Sequence, residues 1–324
     1  MRVVVCHSSH ERCGVRQYGA QLDRSLQSLT EVAAFHFGDL PALTRALRPG
    51  DVVLFHYEPG LLQGDLKSTL KTIRSNGYKI AFCCHWFGER TVVEYGAFVD
   101  RFILHRSYPT SSDKAVEIAL GCPVYEPPNR ESLRKQFGFD GKLVVTTVGF
   151  LTSWKKLPDV ASTLARMIDQ PNVVVRVQAP HPFSTGSNSQ GEERKFRQVV
   201  ANFRHRVQFS TDFLPENDLL NLVHASDLGF VFHGIHTGSV SAATKQFVSA
   251  RTPVVVTDSS HAADIDRGVS RVPGFNIDHF CREVVRLIRD EDARTKMRAD
   301  MMAEYERINM GAVAKRYVEE LGRL

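Results

Sequence analysis

Short apolar runs punctuate the first hundred positions: Arg2–Cys6, Val32–Phe37, Asp51–Phe55, Lys79–Cys84 and Arg101–Leu104. Several are continuous Val, Ile or Phe stretches without polar alternation, the pattern of parallel strands buried on both faces. Between them, near 15–28, 40–48, 62–76 and 112–120, apolar residues fall at helical spacing. Alternating strand and helix predicts a doubly wound sheet. The second half repeats the style, with strands at Leu143–Val148, Val173–Gln178, Val207–Ser210, Leu228–Phe232 and Val254–Thr257. Its helices are expected near 156–169, 190–204, 216–225, 240–250 and 277–290. Pro215, Glu216 and Asp218 give the helix at 216 its proline and early acidic residues. From Glu291 onward the chain reads as charged helix. Met301, Tyr305 and Ile308, then Val313, Tyr317 and Leu321, form apolar stripes there.

Prolines 123, 127 and 128, a polar helix at Arg130–Phe137 and the turn Phe139–Lys142 place a hinge between the halves. The expected units are 1–138, 139–305 and a terminal helix, 306–324. A chain of 324 residues suits two such cores. No apolar run approaches the roughly 20 residues that span a bilayer. The first strand is too short for a signal peptide and is followed by charge, so a cytoplasmic protein is expected. Six cysteines are scattered, Cys83 and Cys84 side by side in one strand, with no CxxC. That argues for reduced, buried thiols and against a zinc site; no metal is expected. The net charge of +5 suits an anionic small molecule, a membrane surface or nucleic acid, and selects none of them.

Candidate chemistry concentrates in two strand–loop–helix units. In the segment Val144–Lys156 a β-branched strand ends at Gly149, and Lys155 and Lys156 precede a helical pattern. Cations at the positive end of a helix dipole are unfavourable unless an anion is bound, which marks Lys155, with Lys156 as alternate, for a phosphate-bearing ligand. The bland reading is two solvated lysines. In the second unit the loop His236–Ser241 enters a helix. Gly238 would allow close backbone approach, and the amides of Ser239 and Val240 would meet the phosphate; the alternative is an ordinary N-cap at Thr237 or Ser239. Gln246, in the following helix, has an amide oxygen able to accept from a ribose hydroxyl.

Taken in order, these features resemble the GT-B glycosyltransferases, in particular the retaining group called family four. That family has Gly-Arg at the end of the corresponding strand, a lysine six residues after the glycine, and then another glycine; here the positions hold Gly149, Phe150, Lys155 and Lys156. The segment Pro215–Phe232 resembles a family stretch whose Asp matches Asp227. Anchoring on Pro253–Thr257 puts Gly238 and Gln246 at the family's paired glutamates and Arg251 at a usual glycine. His56–Gly60, Cys13–Arg16 and His85 resemble N-terminal motifs of the same group. The resemblance implies two Rossmann-like domains facing across a cleft, with the last helix crossing back to the N-terminal domain. It also implies retaining transfer from a nucleoside-diphosphate sugar, without metal or other cofactor. Lys155 and His85 would stabilise the transition state. Gly14, Gly149, Lys155, Lys156, Gly238, Ser239, Val240, Lys245 and Gln246 would hold the donor, Lys245 replacing the charge lost at Phe150. Glu58 would meet the acceptor. Structural alternatives stand beside several of these: a turn at Gly14, a satisfied histidine at 85, a helix-start carboxylate at 58. With both acidic positions changed, a GT-B protein that binds nucleotide sugar without turnover is the rival reading. Another is transfer to an anionic acceptor, such as modified DNA or lipid phosphate, held by the arginine clusters at 101/106, 130/134 and 194–206. A dehydrogenase is disfavoured because no GxGxxG follows the first strand.

Overall fold

The computed structural model describes every residue except 9–12, 62–64, 183–187 and 236–239. The described residues form two compact units. The first takes Met1–Gly121 and Ile308–Leu324, with Val240; the second runs from Cys122 to Arg307.

In the first unit β1 (Arg2–His7), α1 (Gly14–Gln27), β2 (Glu31–His36), α2 (Leu40–Ala46), β3 (Asp51–Tyr57), α3 (Leu66–Ser75), β4 (Lys79–Cys84), α4 (Glu89–Tyr95), β5 (Arg101–Leu104) and β6 (Ala115–Glu117) follow one another. The sheet has the order β2-β1-β3-β4-β5-β6, with every pair parallel. All seven residues of β3 are buried, as a central strand covered on both faces requires. The Asp65 carboxylate caps α3, accepting from the Ser68 amide at 3.0 Å. The stretch expected to be helical at 112–120 is instead the edge strand β6. Ala115 and Val116 pair with Phe102 and Ile103, so tertiary pairing overrides a weak helical pattern.

The second unit runs α5 (Arg130–Gln136), β7 (Leu143–Val148), α6 (Leu157–Met167), β8 (Val173–Gln178), α7 (Ser189–Asn202), β9 (Val207–Ser210), α8 (Glu216–Ala225), β10 (Leu228–Val231), α9 (Ala242–Ser249), β11 (Val254–Thr257), β12 (Val269–Val272), α10 (Ile277–Arg289) and α11 (Glu291–Ile308). Its parallel sheet has the order β12-β11-β10-β7-β8-β9. The unit therefore begins ahead of the proline-rich segment, and α5 belongs with it. The reason is an anchor. Asp227 accepts from Arg130 at 2.6 Å, from Arg134 at 3.1 Å and from the Val144 amide at 2.7 Å, tying α5 to the start of β7. This pairing gives Arg130 and Arg134 a structural role in holding α5 to the sheet. Arg197 and Lys195 are likewise paired, with Glu193 and Glu192.

Both sheets reverse direction of growth at one point, between β1 and β3 in the first and between β7 and β10 in the second. In such sheets ligands bind outside the carboxyl ends of the strands at that switch. Past Asn309 the chain enters α12 (Met310–Leu321), which packs on α1 and completes the first unit, as expected of the terminal helix. Val313, Ala314, Tyr317 and Leu321 are buried along it. Among the described residues no helix is long and apolar enough to cross a membrane.

Two non-glycine residues among those described have positive φ, Lys156 at 48° and Arg251 at 52°. Both stand where the family of resemblance has glycine. Arg251 offsets the strain by stacking its guanidinium 3.7 Å from the Tyr305 ring centre and donating to the Tyr125 and Ser249 carbonyls. Arg251→Gly relieves the backbone but orphans those carbonyls, so a net loss of about 1–3 kcal/mol is expected by chemical denaturation. A more stable variant would show that the backbone strain outweighs the lost hydrogen bonds.

Candidate functional site

In the second unit the end of β7 lies at the switch point. Gly149 turns the chain there with φ of 115°, a conformation open to glycine. A Cβ at this position would sit 2.8 Å from the Lys155 ammonium nitrogen and 3.2 Å from the Ala243 Cβ. Three elements therefore converge: the glycine turn, the lysine and the first turn of α9. Lys155 is only 6% exposed, and no carboxylate lies within ion-pair reach of it among the described residues. Its Nζ stands 5.4 Å from the centre of the Trp154 ring. Burial pulls its pKa from 10.5 down to about 8. Ser241 stands at the N-cap of α9 without a side-chain hydrogen bond to the helix.

Beneath Lys155 lies an aromatic stack. Trp154 is nearly parallel to His233 at 5.2 Å and to His261 at 5.5 Å, and the two imidazoles are 4.0 Å apart. Burial, then the neighbouring His261 and Lys155, hold His233 well below the ordinary histidine pKa. The Gly234 amide donates to the Trp154 carbonyl at 3.0 Å, locking the β7 and β10 loops together. A Cβ on Gly234 would come within 2.9 Å of that oxygen. Nothing in the spacing along the chain joins Trp154, His233 and His261. The three lie in separate loops, and only the β7–β10–β11 adjacency brings them together.

The other expected donor residues fall as follows. Lys156 occupies the left-handed N-cap position of α6. Lys245 is buried against Asp264, Nζ to Oδ1 2.7 Å, so its charge is neutralised by the protein and does not replace an arginine at 150. Gln246, on the same helix, is half-buried, and its buried Oε1 has no hydrogen-bond partner. Gly238 and Ser239 lie outside the described residues. Val240 precedes the helix rather than opening it.

In the first unit, carboxyl ends of strands carry the chemistry. Gly14 opens α1, and a Cβ there would meet nothing within 4 Å. Glu58 lies just past β3, beside a cavity of about 400 Å³ lined also by Tyr57, Trp86, Arg90 and Glu94. Burial raises its pKa. His85 follows β4 and is half-buried. Its Nε2 turns inward, 3.0 Å from His56 Nδ1 and 3.6 Å from the Cys83 sulfur. Desolvation, then the charge of His105 and of His56, drives its pKa well below the ordinary value. A neutral imidazole at neutral pH follows. Five histidines, 7, 36, 56, 85 and 105, gather in this unit in edge-on, tilted or stacked contacts.

No protein-family profile matches the chain, and no curated protein matches it in sequence. Solved structures do. Anabaena HepE in complex with UDP and glucose superposes with a TM-score of 0.77 at 14% identity, covering 100% of both chains. Trehalose-6-phosphate from E. coli, as that structure is named, bound with UDP-2-fluoro glucose gives 0.75 at 12%, over 100% of this chain and 99% of that one. An α,α-trehalose-phosphate synthase (UDP-forming) from Burkholderia xenovorans in complex with glucose-6-phosphate gives 0.71 at 13%, over 99% and 100%.

The fold is GT-B. With end-to-end coverage the likeness spans both sheets and the terminal helix, and at these identities it concerns the fold alone.

Proposed function

We propose that this GT-B protein is a retaining glycosyltransferase that moves a sugar from a nucleoside-diphosphate donor to an acceptor hydroxyl. One observation carries the reading: a buried lysine without a carboxylate partner, aimed at a glycine turn beside the start of a helix. A buried cation is costly unless an anion answers it, and a diphosphate leaving group is such an anion. Lys155 stabilises the charge that grows on the leaving phosphate; the turn at Gly149 lets the phosphate approach the backbone; the α9 amides supply donors. The Trp154–His233–His261 stack gives the lysine a rigid aromatic floor. Gln246 accepts from a donor hydroxyl with its unpartnered Oε1. In the first unit His85, its Nε2 engaged, keeps Nδ1 for a sugar hydroxyl, and the cavity beside Glu58 is the candidate acceptor pocket. The leaving phosphate itself takes the acceptor's proton, so no protein base is assigned.

UDP and UDP-glucose accompany HepE in its solved structures, which makes uridine the first base to test. The test is a thermal-shift screen of nucleoside diphosphates followed by UDP release from UDP-sugars. Saturating UDP at 100 times its Kd stabilises by roughly 2.7 kcal/mol. A screen in which no nucleoside diphosphate moves the melting curve would sink the reading. A shift without turnover would favour the rival, a nucleotide-sugar binder, for which the replaced acidic pair speaks.

For Gln246 the expectation is graded. Gln246→Glu keeps a hydroxyl acceptor and should change donor KM less than about tenfold, while Gln246→Leu, which removes it, should cost roughly 1–3 kcal/mol of donor binding. Equal KM values for all three proteins would remove Gln246 from the donor site.

A further inference from the structure

Strand register, not sequence spacing, assembles a second group of chemical side chains in the first unit. Pairing of β3 with β4 sets His56 opposite Cys83. His85 follows two residues on, its amide extending the ladder to the Tyr57 carbonyl at 3.0 Å, so it shares the face of Cys83. Pairing of β4 with β5 sets Ile103 opposite Cys83, and His105 lies two residues beyond Ile103. Three imidazoles and one thiol thus project from one face of three adjacent strands.

Their spacing is that of ligands around a metal. One ligand atom from each of His56, Cys83 and His85 lies within 4.8 Å of the other two. The Cys83 sulfur is 3.6 Å from His85 Nε2 and 3.5 Å from His105 Nε2, and His56 Nδ1 is 3.0 Å from His85 Nε2. Around tetrahedral zinc, with bonds of about 2.3 Å to sulfur and about 2.0–2.1 Å to nitrogen, sulfur–nitrogen edges are roughly 3.5 Å and nitrogen–nitrogen edges roughly 3.3 Å. His56 is fully buried, and its Nε2 has no hydrogen-bond partner. A single proton shared with His85 therefore leaves one polar atom of this ring unsatisfied in the interior, a cost the hydrogen bonds of the cluster do not remove. His105 is oriented as metal-ligating histidines are. Its Nδ1 faces the Ile118 carbonyl at 3.2 Å, and a carbonyl only accepts, so Nε2 turns a lone pair toward Cys83.

We propose that His56, Cys83 and His85 bind a thiophilic divalent d-block cation of the zinc class, with His105 or a water in the fourth position. On binding, the Cys83 S–H proton leaves to solvent and a sulfur–metal bond replaces it; no redox change occurs. The soft sulfur and two imidazoles favour such an ion over magnesium or calcium. Tyr317 donates to the same sulfur at 3.2 Å, which makes it a positioning residue through which α12 senses the thiolate.

Cobalt(II) is the probe. Full-length protein stripped by chelator and titrated with cobalt should bind one equivalent. The expected signs are the visible bands of a tetrahedral site, an ultraviolet sulfur-to-cobalt charge-transfer band, and release of one proton per ion to an indicator dye. Zinc should bleach the spectrum stoichiometrically. Cys83→Ser should abolish the charge-transfer band; His56→Gln should keep it but weaken binding about tenfold or more, on the scale of lost metal-site groups. Cys84→Ser, altering a thiol on the opposite face of the same strand, should change neither. Wild-type protein that binds no stoichiometric cobalt, or binds it without the sulfur band, overturns the proposal, as does binding indifferent to both variants. Because the wild-type spectrum decides, a variant that fails to fold does not rescue it. The readout is independent of sugar transfer.

Discussion

Lys155→Ala is expected to slow sugar transfer by about one to three orders of magnitude, the scale of a lost charge-stabilising group, while making the ligand-free protein more stable. The opposite signs come from one cause. Burial lowers the folded-state pKa of Lys155 to about 8, against 10.5 when exposed. Between those values the unfolded chain holds a proton that the folded chain has released, so stability rises with pH across that window. Below pH 8 the cost of burying the charge is present in full, about 3 kcal/mol at 1.36 kcal/mol per unit. The alanine variant should lack that rise. A diphosphate reverses the balance by favouring the ammonium, so donor binding near pH 8–9 should take up a proton and weaken at higher pH. Calorimetry in buffers of different ionisation enthalpy measures the uptake. Unchanged turnover in Lys155→Ala, with Lys156→Ala inactive, would move the phosphate group to the next residue.

Removal of everything after Met310 should be the most damaging single change to the first unit. Val313, Tyr317 and Leu321 are each no more than 1% exposed, and burying such side chains contributes roughly 1.5–3 kcal/mol apiece. Their loss, with the α1 face they cover, amounts to about 5 kcal/mol or more, comparable to the stability of a whole domain. Calorimetry should show an early transition for the first unit and a later one for the second. Because Gly149, Lys155 and α9 all belong to the second unit, UDP should still shift that later transition. A truncated protein that melts as the intact one does would show α12 to be peripheral.

The strands of both sheets, β6 and β12 apart, and the doubly wound class were legible because a parallel core demands continuous apolar runs, whereas the switch points emerged only with the strand pairing. The stripe Val313–Tyr317–Leu321 foretold a one-sided helix for the same reason. Gly149 and Lys155 were legible because a glycine turn and a cation at a helix start are unusual locally. The fate of Lys245 was not, since its partner Asp264 lies beyond an intervening strand and nothing in the spacing pairs them. The helix expected at 112–120 failed because an edge strand this short draws its stability from a neighbour rather than from its own residues. The cluster at Cys83 was hidden most deeply. Metal motifs are read along the chain, whereas His56 and Cys83 are neighbours only across a ladder.

The return of α12 to the first unit also sets a timetable. A ribosome delivers Gly121 long before Ile308, and the second unit is synthesised in between. At about 5–20 residues per second that interval lasts on the order of 10–40 s, during which the first sheet is complete but the part of its α1-side face that α12 covers is bare. The nascent chain thus matures out of order, its later-made half closing ahead of its earlier one. For that interval Cys83 stands without the tyrosine that will cover it, open to chaperones, oxidants and free metal ions in the surrounding medium.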